Sequence, residues 1–173
     1  MRGPSSDTLI HVNDQRPVAV IDLDGVVADV RHRLHFLEST PKDWDNFFAG
    51  IPDDPVLPEG RAVVERLAAD HEIVYLTGRP ESTRADTEVW LERSGLPQAR
   101  LIMRRAGDRR PARIAKPALL RSYASRGRTI GVVVDDDLKV CEALERDGWP
   151  VLCADWMGRA ETLVQAQEDA GLT

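Results

Sequence analysis

The sequence predicts an α/β domain, a parallel sheet flanked by helices. Short apolar, β-branched runs recur along the chain, and stretches of helical periodicity separate them. That alternation implies βαβ units. Gly95, Gly127 and Gly148 each follow a helical stretch, as residues just past a helix end do.

Taken in order, residues 1–16 are polar and read as a tail, and residues 17–173 as one domain. Val18-Ala19-Val20-Ile21, ending at Asp22, reads as a strand buried on both faces. The segment at about 29–57 breaks the rhythm. It holds His32, His35, Phe36, Trp44, Phe47 and Phe48, then Ile51-Pro52-Asp53-Asp54-Pro55. It reads as a small helical cap inserted after the first strand. Val63, Val64, Leu67 and Ala68 mark a helix, and Ile73 through Leu76 a second strand. Residues 81–94 read as a helix with Val89, Trp90 and Leu91 inward. Leu101-Ile102-Met103, Ile130 through Val134 and Val151-Leu152-Cys153 complete the strands. Helical stripes fall at Leu119, Leu120 and Tyr123, at Val140, Cys141 and Leu144, and at Ala160, Leu163 and Val164.

The composition is globular, with 42% hydrophobic residues among 173. No run of about 18 apolar residues exists to cross a membrane, and the first sixteen residues hold no signal-peptide core. Cys141 and Cys153 read as reduced, packed thiols, so a cytoplasmic chain is expected. The net charge is −6, which by itself speaks against a nucleic-acid partner.

Open parallel sheets bind ligands outside the carboxyl ends of their strands. There the sequence places Asp22-Leu23-Asp24-Gly25, Thr77-Gly78-Arg79 and Asp135-Asp136-Asp137. Lys116 precedes Pro117, which favours the first helical position, so Lys116 is expected at a helix N-terminus on the same side. Converging carboxylates call for a hard divalent cation, and Mg²⁺ suits oxygen ligands and a phosphate. Beside that charge Asp22 stays ionised as a nucleophile. Asp24 is placed to protonate a leaving oxygen and then activate water. Thr77 offers a hydroxyl to a phosphoryl oxygen, and Arg79 a planar fork to a phosphate.

This order of motifs resembles the haloacid dehalogenase superfamily over about residues 18–156. The resemblance implies a Rossmann-like fold and phosphorylation of Asp22. It implies Asp24 as general acid/base, lending the metal its backbone carbonyl, with Thr77 and Lys116 holding the phosphoryl group. It also implies a Mg²⁺ site of Asp22, Asp24, Asp135 and Asp136, although the presence of Asp137 leaves open which two of the three consecutive carboxylates serve. Asp24 points to a phosphatase, since a dehalogenase needs no acid there. Leu76-Thr77-Gly78-Arg79, Gly107-Asp108-Arg109-Arg110 with Lys116 beyond it, and Val134-Asp135-Asp136 followed by Val140 and Glu142 look like the 3′-phosphatase module of phage polynucleotide kinase/phosphatase. That closer match adds Gly78, Arg79 and Arg110 as substrate-binding candidates. No Gly-x-x-x-x-Gly-Lys-Ser/Thr loop occurs, so no kinase accompanies these residues.

Residues 100–128 carry ten basic side chains and one acid, Asp108. Either they form a solvated face, or they form a positive wall that draws in a polyanion. The −6 total therefore does not exclude a nucleic-acid end as substrate. The expectation is a Mg²⁺-dependent phosphomonoesterase acting on a nucleotide or nucleic-acid 3′-phosphate, with no membrane partner. The alternatives are a small-metabolite phosphatase, a phosphomutase and a non-catalytic phosphoacceptor. Chain order disfavours the last, because a receiver domain carries its acidic pair on the first strand and here that pair follows Lys116. His32 and His35 are open between substrate contact and plain surface. Trp44, Phe47 and Phe48 read as the insertion's own core before a base-stacking platform.

Overall fold

A computed structural model describes residues 16–158 and 160–170; the expected tail, apart from Arg16, lies outside the described residues. Five parallel strands form one sheet: β1 (Val18–Ile21), β2 (Glu72–Pro80), β3 (Arg100–Arg104), β4 (Ile130–Asp135) and β5 (Val151–Cys153). Their spatial order is β3-β2-β1-β4-β5. β1 is central because it can be: all four residues are buried, with Ala19 and Ile21 facing one core and Val18 and Val20 the other.

Helices cover both faces. α2 (Pro58–Ala68), α3 (Arg84–Arg93) and α6 (Glu161–Ala170) pack Val63, Val64, Trp90, Leu91 and Leu163 against the Ile21 side. α4 (Ala112–Ala124) and α5 (Leu138–Arg146) pack Leu120, Tyr123, Val140 and Leu144 against the Val20 side. Between β1 and α2 the chain makes a 3₁₀ turn (Arg31–Leu37), the short helix α1 (Trp44–Ala49) and a second 3₁₀ turn (Ile51–Asp53). Leu37, Phe47 and Ile51 of this segment are fully buried in the same core as Ile21. Trp44 and Phe48 stack with ring centroids 5.6 Å apart and close over Phe47. The aromatic rings are thus spent on packing.

Three local expectations are corrected. Val89 is 49% exposed, because α3 turns only Thr87, Trp90 and Leu91 inward. α4 begins five residues earlier than Pro117, at Ala112 after Pro111, so Pro117 lies inside the helix and Lys116 in its second turn. β2 does not stop at Leu76 but runs to Pro80. Its pairing with β3 passes from Leu76–Ile102 to Pro80–Arg104, so two extra residues bulge out on the β2 side. Cys141 and Cys153 are free thiols with their sulfurs in contact.

Gly60 shows how tightly the first loop is built. A Cβ there would sit 1.9 Å from the Val26 carbonyl oxygen, an atom that also accepts from Trp156 Nε1 at 2.8 Å. Alanine gains about 1 kcal/mol of helix propensity over glycine, but overpacking against backbone costs about 1–3 kcal/mol. Gly60→Ala is therefore expected to lower the urea midpoint clearly. Val89→Ala, at an exposed site, is expected to move stability by less than about 0.5 kcal/mol.

Candidate active site

The parallel register sets the site. Ile21 is opposite both Tyr75 and Val134, so one residue further on Asp22 and Asp135 emerge together at the carboxyl ends of β1 and β4. Asp22 is held by its N–H, which donates to the Val134 carbonyl at 2.9 Å. Lys116 reaches in from α4. Its Nζ lies 2.8 Å from Asp22 Oδ2 and 2.7 Å from Asp135 Oδ2, and all three side chains are 3% exposed. Asp136 completes the group. Asp22, Asp135 and Asp136 each offer a carboxylate oxygen within 4.8 Å of the other two.

The charges in this cluster do not balance. Burial raises the Asp22 carboxyl, Lys116 pulls it back and Asp135 pushes it up again, leaving it at about 7. Burial, then the Asp22 and Asp135 charges, hold Asp136 well above the usual carboxylate range. Burial opposes the Lys116 charge, but Asp135 and Asp22 more than offset it and keep the ammonium protonated. Three carboxylates facing one ammonium leave an excess of negative charge. An oxygen-ligated divalent cation offsets such an excess, so this donor set fits Mg²⁺. The structure also separates the three consecutive acids. Asp137 turns away to cap α5, accepting from Lys139 N at 2.8 Å, while Asp135 and Asp136 face Asp22.

Gly25 is required by the same geometry. Its φ is +82°, and a Cβ there would fall 2.0 Å from Asp136 Oδ2. The turn it allows is closed by the Val27 and Ala28 N–H groups, both donating to Leu23 O at 2.8 Å.

Asp24 stands apart from the acidic group in a buried network that the sequence did not reveal. Its Oδ1 accepts from Arg79 Nε at 3.0 Å and from an Arg33 Nη at 3.0 Å. Both arginines also bind Asp54: Arg33 Nε lies 2.7 Å from Asp54 Oδ1, and Arg79 Nη2 2.8 Å from Asp54 Oδ2. The guanidinium of Arg33 rests on the Phe47 ring, 4.2 Å from its centroid. Trp90 Nε1 donates to the Asp54 carbonyl at 2.8 Å. His32 touches Asp54 Oδ1 at 2.8 Å from the exposed side. Burial alone would raise Asp24, but Arg79 and then Arg33 hold its carboxyl below the ordinary range. Its other oxygen, Oδ2, is buried and has no hydrogen-bond partner in the structure.

This network changes the expected place of Arg79. The fork meant for a phosphate is 0% exposed and is spent on two carboxylates. The bulge in β2 turns it inward, where Asp24 and Asp54 need cations. Thr77 is buried in the same bulge, and its Oγ1 accepts from Arg79 N at 3.2 Å. The Gly78 carbonyl is turned to the buried Arg104, whose Nε donates at 3.3 Å. Arg110 lies outside the cluster, exposed, and paired with Asp108 at 2.7 Å. Asp54 and Arg33 had no sequence signal of their own, since their pairing spans 21 residues and is made only by the tertiary fold.

A model of the polynucleotide kinase PNKP phosphatase domain matches residues 16–155. The chain belongs to that family. As a phosphatase domain of this type it also resembles, in fold, a chain in the Pnkp1/Rnl/Hen1 RNA repair complex, with a TM-score of 0.67 and 20% identity. The alignment covers 87% of this chain but 44% of that one, so the domain spans less than half of that protein. Two further folds are alike. The haloacid dehalogenase-like protein SP0104 from Streptococcus pneumoniae has a TM-score of 0.62 at 14% identity, over 90% of this chain and 93% of that one. The class C acid phosphatase from Bacillus anthracis has a TM-score of 0.59 at 19% identity, over 78% and 62%. No curated protein is similar to the chain in sequence. No helix among the described residues is long and apolar enough to cross a membrane.

The network around Asp54 makes a stability prediction. Asp54→Ala leaves Arg33 and Arg79 buried with half their compensation, and breaking a buried pair in this way costs about 3–5 kcal/mol. His32→Ala removes only a partner at the network's exposed end and is expected to cost under about 1 kcal/mol. Chemical denaturation of the two variants would show whether Asp54 has this weight; equal losses would contradict it.

Proposed function

We propose that this PNKP-type phosphatase domain hydrolyses a phosphomonoester through a phosphoryl group carried on Asp22, with a nucleotide or nucleic-acid 3′-phosphate as its substrate. The observation that carries the reading is the division of labour between the two aspartates of Asp22-Leu23-Asp24. Asp22 joins Lys116, Asp135 and Asp136, where a phosphorus is attacked. Asp24 is clamped by one oxygen and keeps the other unpartnered.

Each residue then has a chemical task. An Asp22 carboxylate oxygen attacks phosphorus as the bond to the leaving oxygen breaks. Arg79 and Arg33 keep Asp24 ionised at rest, so its Oδ2 takes up the proton of the incoming phosphomonoester monoanion and passes it to that leaving oxygen, and an alcohol departs. Asp24 then takes a proton from water, whose oxygen attacks the phosphoryl group and frees Asp22 as phosphate leaves. Lys116 keeps Asp22 and the incoming phosphate from repelling each other, and the Thr77 hydroxyl donates to a phosphoryl oxygen. Asp22, Asp135, Asp136 and the Asp24 carbonyl would hold Mg²⁺, which supplies charge neutralisation to the phosphoryl oxygens when bound. Arg33 and Arg79 act through Asp24 by fixing its orientation.

The substrate side rests on the family, whose model is that of a polynucleotide kinase phosphatase. A small-metabolite substrate is the alternative. The test is phosphate release with Mg²⁺ from a 3′-phosphorylated oligonucleotide, 3′- and 5′-nucleotides, sugar phosphates and p-nitrophenyl phosphate. The 3′-phosphorylated nucleic acid is expected to give the highest kcat/KM. Asp22→Asn, which keeps the side chain's shape, is expected to lose at least about a thousandfold in kcat. Undiminished turnover by that variant would remove Asp22 as nucleophile, and a sugar phosphate as best substrate would remove the nucleic-acid reading.

A further inference from the structure

Beside the edge strand β3 lies a groove of about 400 Å³, away from the acidic cluster. Its apolar lining includes the half-buried Leu101, Ile102 and Leu119, and Arg84, Arg100, Arg105 and Arg126 stand around them. The ten basic residues of the 100–128 stretch do not form one wall. Arg104 and Lys116 are buried inside the protein. Arg110, Arg113, Arg121 and Arg128 are each spent on a carboxylate: Asp108, Glu168, Asp147 and Glu72. The remaining four, Arg100, Arg105, Arg109 and Arg126, have no carboxylate partner among the described residues, and three of those four rim this groove. Arg100 rests over the Tyr123 ring, 5.6 Å from its centroid. The one acid in the lining, Glu81, is already bound to Arg84.

We infer that this groove is the track for the single strand that leads to a 3′-phosphorylated end. Unpaired guanidiniums along the rim suit consecutive phosphates. The half-buried Leu101, Ile102 and Leu119 offer apolar surface to base faces, whatever their sequence. The groove follows β3 from its first residue to the residue past its last, about 17 Å of strand, enough for a few nucleotides. Its upper end lies at the same carboxyl edge of the sheet as the site: Arg105 follows Arg104, which holds the Gly78 carbonyl next to Thr77. A wholly acidic polypeptide such as polyglutamate could use the rim but has no apolar side chain to place on the floor. The inference rests on the nucleic-acid reading above, and binding tests it without requiring turnover.

The experiment measures fluorescence anisotropy of the full chain with unphosphorylated 12-nucleotide DNA and RNA single strands, over a salt series. The groove variant is R100Q/R105Q/R126Q. The control is R66Q/R93Q/R146Q, which removes the same charge from exposed sites elsewhere. The parent is expected to bind at least one of the two strands, and the tighter one names the source. The groove variant should lose about tenfold or more in affinity at low salt, and its log–log salt slope should shrink by about 2, since each single-strand phosphate contact contributes about 0.7. The control should stay within about twofold. Failure of the parent to bind either strand, equal losses in the two variants, or displacement by polyglutamate as effective as by unlabelled strand overturns the groove. Phosphate release from a 3′-phosphorylated strand, measured on the same proteins, separates the two readings. Groove-dependent binding without release leaves the track and removes the reaction, whereas release that ignores the groove removes the track alone.

Discussion

Everything at the carboxyl edge of this sheet follows from the need to bury carboxylates without leaving them uncompensated. Asp22, Asp24, Asp54 and Asp135 are all nearly inaccessible, and an isolated buried carboxylate is too costly to persist. The fold meets the cost in two separate compartments. In one, Lys116 stands between Asp22 and Asp135. In the other, two arginines stand between Asp24 and Asp54. The second compartment is closed, with four charges in near balance. The first is left with an anionic excess. That imbalance separates a balanced ion network from a donor set that fits a divalent cation.

In the proposed reaction the two compartments meet in Asp24, and this links the inserted segment to the chemistry. Arg33 comes from the 3₁₀ turn after β1, Arg79 from the bulge of β2, and Asp54 from the turn before α2. Their convergence fixes one oxygen of Asp24 and so aims the other. A loosened insertion would therefore reach the reaction through Asp24's orientation before it touched any substrate. The insertion is built to resist this. Phe47, Leu37 and Ile51 are buried with β1 in one core, so displacing Arg33 means opening apolar packing as well as a charge network.

The legible part of the molecule was the part encoded by near neighbours. Strand runs, helical stripes and terminal glycines are local patterns, and the five strands lie where the runs do. The Asp22, Asp135 and Asp136 grouping was legible because strand ends in a parallel sheet are brought together by topology alone. The buried pairing of Arg79 was not legible because an arginine after a strand looks the same whether it faces solvent or a buried acid. Pro117 misled for a related reason. Proline prefers the first turn, but α4 has already begun at Ala112, and a proline inside a helix forfeits one hydrogen bond where packing can bear it. Arg33 and Asp54 are 21 residues apart and pair only through the tertiary fold, so no spacing rule could have joined them.

The arginines of β3 have a second explanation that bears on the groove. β3 is an edge strand, and charged side chains protect exposed edges from pairing with other chains. The opposite edge, β5, has only three residues and is blunted by its shortness. Edge protection therefore accounts for Arg100 and Arg105 without any ligand. It does not account for Arg126, which belongs to the turn after α4 and not to the strand. Nor does it require that the rim arginines lack acidic partners, since a paired arginine blocks an edge as well as a free one. In a chain with an acidic excess, where Arg110, Arg113, Arg121 and Arg128 all found carboxylates, three unpaired guanidiniums around one apolar floor are better explained by something that binds there.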